Sequence, residues 1–163
     1  MRKQTEQLKV LSEALLREKG AAKNVVLALE QMKTATETLD AAGHRRTMTE
    51  AREAFEELTR CAAERFSLST KLGASVGLKR EDRLPAILAS VGRGTDGVRA
   101  LAGELSEELS RVSAGISVMA LLTRYGSAMT ANLMEIRGAG RVAVPYGKNG
   151  HRTASTTRSG RLA

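Results

Sequence analysis

Hydrophobic residues recur at alternating steps of three and four positions through the first part of the chain. That spacing is the heptad pattern of a coiled coil, which is narrower than the apolar face of a generic amphipathic helix. We therefore expect one long N-terminal helix that ends near Ala42, with Gly43 as its C-terminal cap. The predicted seam consists of Leu8, Leu11, Leu15, Glu18, Ala22, Val25, Leu29, Met32, Thr36 and Leu39.

A second helix is expected to begin at Thr47. Thr47 and Glu50 have the spacing of a capping box, in which each side chain satisfies a backbone N–H donor near the other. The apolar stripe that follows keeps helical spacing as far as Val76. Residues 79–83 then read as a polar connection, and Pro85 suits the first turn of a third helix.

The third helical stretch begins at Leu84 and is interrupted by glycines between Gly92 and Gly97. The letters of this segment match Gly-x-Gly-x-x-Gly, which in dinucleotide-binding folds follows a strand and opens a helix. Here the preceding residues have helical spacing, and strands and helices do not alternate anywhere. We therefore expect a break between two helical pieces, with the helical spacing resuming at Val98 and continuing to Arg137.

These patterns predict an all-α protein, an elongated antiparallel bundle of three long coiled-coil-like helices with a flexible C-terminal tail. Composition supports this class, because only 2% of the residues are aromatic and the core must come from aliphatic side chains, which pack well between helices. We expect a helical domain over residues 1–137 and a flexible basic tail over residues 138–163. That tail has five basic residues and no acidic one, within a chain of net charge +8.

Residues capable of chemistry are few and scattered along the chain. Cys61 is the single cysteine, so no intramolecular disulfide can form, and we expect a cytoplasmic protein in which Cys61 packs as a small side chain. No apolar run approaches the ~20 residues of a membrane span. His44 and His151 lie in different segments without metal-ligand spacing. We expect no enzyme, no catalytic residue, no metal site and no cofactor.

The last helix carries apolar residues all around its circumference between Ala114 and Ile136. Such a helix needs a second partner besides the core, and methionine adapts well to a partner helix. The alternative is that these residues simply form core against the first helix. The candidate partner-binding residues are Ile116, Met119, Leu121, Leu122, Met129, Leu133 and Ile136.

The tail contains one aromatic residue, Tyr146, within a short extended segment. Pro145 biases Val144 away from helix, and Gly147 and Gly150 leave the flanks flexible. Such a segment can dock by becoming ordered on a partner surface. The alternative is an inert, solvated terminus.

The chain resembles the FlgN-type flagellar export chaperones. The resemblance rests on the heptad-rich first helix, the apolar last helix over residues 113–137, and the Tyr-Gly-x-x-Gly element at residues 146–150 of the basic tail. It implies a cytoplasmic helical protein, a monomer or weak homodimer, that binds hook–filament junction proteins through the last helix. It also implies that Tyr146, with Gly147 and Gly150, contacts the cytoplasmic domain of the export-gate membrane protein (FlhA). No cofactor, nucleic acid or stable membrane insertion is implied.

Two other functions remain open from the sequence. The basic tail could bind the phosphates of a nucleic acid. Against this, the helical domain has no surface on which basic residues alone are grouped, and the tail has few aromatic residues for stacking on bases. The heptad seam could instead pair with a second copy of the chain, as in a self-associating coiled-coil scaffold.

Overall fold

The structure, a computed structural model, describes residues 2–79 and 83–139. Over these residues the protein is all-α, as the sequence predicts, and contains no strand. Four helices are present rather than three, because the third helical stretch is divided by a turn. In chain order they are α1 (Arg2–Glu37), α2 (Ala41–Ser75), α3 (Leu84–Val91) and α4 (Asp96–Ala139). The expected tail, apart from residues 138 and 139 in α4, lies outside the described residues.

Helices α1 and α2 form an antiparallel hairpin along the predicted seam. Near the turn, Thr36 Oγ1 lies 3.0 Å from His44 Nδ1, and farther from it Glu18 pairs with Arg65. The heptad prediction is confirmed over most of its length, because the seam positions from the first leucine to Leu29 are all buried. They are Leu8, Leu11, Leu15, Glu18, Ala22, Val25 and Leu29.

The α1–α2 turn differs from the expected capping pattern. Helix α1 ends at Glu37, and α2 is capped by Asp40, whose Oδ1 accepts a hydrogen bond from the Gly43 N–H at 2.9 Å. The predictions of Gly43 as the cap of α1 and of Thr47 as the cap of α2 are therefore wrong. Aspartate is as good an N-cap as threonine, and it lies earlier in the chain. Thr47 is buried inside α2, where its hydroxyl donates to the Gly43 carbonyl.

Leu39 lies in this turn and not in the seam, also against the prediction. Its φ is 56°, in the left-handed region, and its side chain is 90% exposed. The Asp40 N–H donates to the Ala35 carbonyl and the Leu39 N–H to the Thr36 carbonyl, the two bonds that end a helix in a Schellman motif. A leucine therefore occupies the position at which glycine is usual.

Helix α3 packs against the C-terminal part of α2, at the end of the hairpin opposite the α1–α2 turn. Ile87 is buried, and a Cβ placed on Gly73 of α2 would lie 3.2 Å from its Cδ1. The turn into α4 uses Gly92 and Gly94, with φ of 77° and 80°, so the expected break in the helix is a turn. The buried Thr95 then donates its hydroxyl to the Gly92 carbonyl at 2.8 Å.

Helix α4 runs along α1 in the same direction. Lys19 Nζ lies 2.5 Å from Glu104 Oε2, and ten positions farther along α1, Leu29 contacts Gly115. The side chains that α4 contributes to the core are Val98, Leu105, Val112 and Met119. The chain divides into two compact units after Leu122. The first holds the α1–α2 hairpin, α3 and the first part of α4, and the second begins at Thr123.

Candidate partner-binding surface

The sequence-predicted residues in the first unit separate into exposed and buried groups. Ile116 is 46% exposed and Leu121 is 54% exposed, whereas Met119 is 7% exposed and belongs to the core. Leu122 is half-buried against that core. Met119 lies seven residues after Val112, so it continues the core-facing stripe of α4. Ile116 and Leu121 are thus the members of this group that are open to a partner.

Helix α4 is apolar on two opposite faces at this level. Successive residues turn by about 100° around a helix, so Leu121 lies about 200° from the buried Met119. Val118, which is 41% exposed, lies about 60° from Leu121 on the same exposed face. Val118 was absent from the candidate set, although it precedes Leu121 by three positions and could have been found from that spacing.

A groove of about 290 Å³ lies between α1 and α4 beside this face. Apolar side chains on both helices line it, including Leu29, Val118 and Met119. The Leu29 side chain occupies the space over Gly115, because a Cβ there would lie 2.9 Å from Leu29 Cδ1. The exposed charged side chains that also line the groove are Glu30, Lys33 and Arg111.

The second unit presents its own apolar side chains. Tyr125 is 71% exposed and Met129 is 66% exposed, and every side chain described over residues 123–132 is exposed. A partner that covered this pair of apolar side chains would remove their surface from water, which is favourable. Tyr125 was absent from the candidate set, although its spacing of four from Met129 fits one helix face.

The remaining predicted residues cannot be placed. Leu133 and Ile136 lie in α4, but their side chains fall outside the described residues. Tyr146, Gly147 and Gly150 also lie outside them.

The reactive side chains in the described ranges are not brought together. Cys61 is buried, and burial raises the pKa of its thiol, with a further rise from the hydrogen bond to Glu57. His44 lies about 25 Å away along the same helix, at ~1.5 Å per residue. Within residues 2–79 and 83–139, no group of histidine, cysteine, aspartate or glutamate side chains could hold a metal ion.

No family model, curated protein or solved structure matches this chain. None of the helices over the described part of the chain is long and apolar enough to cross a membrane.

Proposed function

We propose that this protein is a cytoplasmic export chaperone of the flagellar type III system. In this proposal its last helix binds the amphipathic terminal segment of a hook–filament junction protein, and its tail delivers the complex to the export gate. The observation that carries the proposal is the position of Leu121. It is more than half exposed on a helix whose opposite face already belongs to the core.

An amphipathic client helix would cover the exposed face of α4. Such helices dock through apolar anchors spaced three or four residues apart, which matches the spacing of Val118 and Leu121. Full burial of one leucine or valine side chain is worth about 1.5–3 kcal/mol. The groove beside Val118 offers room for one aliphatic side chain of the client. Ile116 lies about 140° around α4 from Leu121, so a client helix centred on Leu121 would not cover it.

The tail would act as a second, separate contact. Tyr146, flanked by Gly147 and Gly150, is a single aromatic anchor on a chain segment whose glycines permit many conformations. A tethered anchor of this kind adds to the first binding event through its effective concentration. The support for this part of the proposal comes from the sequence.

The client surface can be tested with a pair of matched substitutions. Leu121→Asp should weaken binding of a purified hook–filament junction protein at least tenfold in isothermal titration calorimetry, because it places a charge in the apolar contact. Leu27→Asp on α1 is the control, because Leu27 is 55% exposed and Leu121 is 54% exposed. Equal binding by both variants, with both folded by circular dichroism, would contradict the assigned surface.

The tail contact needs a different readout. Tyr146→Ala should leave client affinity unchanged and weaken binding to the purified cytoplasmic domain of the export gate. Loss of both interactions to the same extent would contradict two separate surfaces. Retention of both would remove the assigned role of Tyr146.

Self-association is the second candidate function, and the second unit favours it. Tyr125 and Met129 are exposed on a helix segment with no buried side chain among those described. A second copy of the chain could cover them. Sedimentation equilibrium of the protein alone separates the two functions, since a stable dimer that dissociates in Tyr125→Ser would favour the scaffold and a monomer would favour the chaperone.

A further inference from the structure

We propose that the cleft between α3 and α4 is a second docking site, which takes an acidic, leucine-bearing peptide segment. The cleft has a volume of about 560 Å³ and uses the first turns of α4, well before the part of α4 assigned to the client. This proposal does not depend on the export function. Among the described residues, its lining consists of small and aliphatic side chains with a single charged residue, Arg99.

The walls of the cleft are held in place by the core. Ile87 and Leu88 of α3 are buried in the hydrophobic core, and this packing holds the short helix in position. The turn into α4 is held by the hydrogen bond from the Thr95 hydroxyl to the Gly92 carbonyl. The cleft is therefore preformed, which lowers the ordering cost of binding.

Small residues on both helices make the cleft wide. Ala89 of α3 and Ala102 and Gly103 of α4 line it, together with Leu84 and Leu88. A Cβ placed on Gly103 would meet no atom within 4 Å. Aliphatic side chains of a partner can therefore enter between the two helices. Its volume and mostly apolar lining with one polar group match those of ordinary binding pockets.

The charge of the lining identifies the partner's chemistry. Arg99 donates from Nη2 to the Leu88 carbonyl at 3.4 Å, and it forms no ion pair with any described residue. A guanidinium has five N–H donors in a planar fork that matches a carboxylate. Because no acidic side chain within residues 2–79 and 83–139 lines the cleft, an Asp or Glu of the partner would complete the pairing. The occupant is therefore an amphipathic segment with leucines and a nearby carboxylate.

A synthetic helical peptide provides the probe. It has about 15 residues, with leucines at positions i, i+3 and i+7, one glutamate beside them, blocked ends and a fluorescent label. A second probe carries glutamine in place of that glutamate. We expect saturable binding of the glutamate probe by fluorescence anisotropy, with amide shifts at Ala89 and Ala102 in NMR spectra of the full chain. Absence of saturable binding would overturn the proposal.

Two variants locate the probe and identify the contact. Arg99→Gln should lower affinity for the glutamate probe about tenfold and leave the glutamine probe unchanged, as expected for a charge-assisted hydrogen bond. An equal loss for both probes would mean that Arg99 only holds the C-terminal end of α3 through its hydrogen bond to the Leu88 carbonyl. That result would overturn the proposed pairing.

Gly103→Leu fills the cleft and should abolish binding. The matched control is Gly97→Leu, because a Cβ on Gly97 also meets no atom within 4 Å, yet Gly97 does not line the cleft. Both changes raise helix propensity in α4, so loss of binding in Gly103→Leu would not reflect unfolding. Equal binding by both variants would place the probe elsewhere and overturn the site.

Discussion

Glu18 of α1 and Arg65 of α2 form a two-point ion pair within the apolar seam. Glu18 Oε2 lies 2.5 Å from Arg65 Nε, and Glu18 Oε1 lies 3.3 Å from Arg65 Nη2. The Glu18 side chain is 1% exposed and that of Arg65 is 24% exposed. Sliding α2 by one turn along α1 would leave this carboxylate buried without a partner. The pair therefore favours a single register of the hairpin.

Removing one partner of this pair should destabilise the fold strongly. Arg65→Met leaves the Glu18 carboxylate buried and unpaired, and we expect a loss of about 3–5 kcal/mol in the free energy of unfolding measured by urea denaturation. The double variant Glu18→Leu with Arg65→Met should recover most of that loss. The neighbouring pair Arg17–Glu64 is the control, because its side chains are 56% and 46% exposed. Arg17→Met should cost under about 1 kcal/mol, and a similar cost for both single variants would contradict a burial effect.

The helical class and the course of the α1 seam follow from the sequence, because a three–four spacing of leucines has few other solutions. The turn does not follow, since Asp40 and Thr47 are both acceptable caps and the choice depends on how the two helices meet. The division of the apolar residues of α4 was also not predictable. Met119 is buried with Val98, Leu105 and Val112 in the stripe that α4 packs into the core, whereas Leu121 is exposed on the opposite side of the helix.

Leu39 should be replaceable with a gain in stability. A non-glycine residue with a left-handed backbone conformation, such as Leu39, costs about 1 kcal/mol. The Leu39 side chain is exposed, so its packing contributes little to offset that cost. Leu39→Gly is therefore expected to raise the free energy of unfolding by about 1 kcal/mol. The same substitution at Leu16, which is 51% exposed within α1, should lower it by about 1 kcal/mol. Changes of the same sign at both positions would contradict the assignment of Leu39 as a helix-ending residue.

Alanine should be less favourable at Gly43 than at Gly20. A Cβ on Gly43 would lie 2.1 Å from Asp40 Oδ2, so alanine would displace the carboxylate that caps α2. Loss of an aspartate cap costs about 1 kcal/mol and offsets the gain of alanine over glycine in a helix, so Gly43→Ala should be about 1 kcal/mol less stable than Gly20→Ala in urea denaturation. A Cβ on Gly20, within α1, meets no atom within 4 Å, and Gly20→Ala should stabilise by up to about 1 kcal/mol. Equal gains in stability for Gly43→Ala and Gly20→Ala would show that Asp40 does not depend on that space.

The ion pair that attaches α4 to α1 should be visible in a titration of Glu104. The hydrogen bond and the charge of Lys19 hold the pKa of this carboxyl below its ordinary value of 4.5. A folded-state pKa below the unfolded one stabilises the protein above about pH 4.5, and this contribution is lost as the pH falls through the folded pKa.

We expect the Glu104 carboxyl carbon to titrate below pH 4.5 in NMR spectra, and to return toward 4.5 in Lys19→Met. Lys23 lowers the same pKa more weakly, through its charge alone, so Lys23→Met is the matched control and should cause a smaller shift. Equal shifts in the two variants would mean that the field of the α1 lysines, and not the Lys19 contact, acts on Glu104. In that case the register of α4 on α1 would rest on the buried stripe of Val98, Leu105, Val112 and Met119.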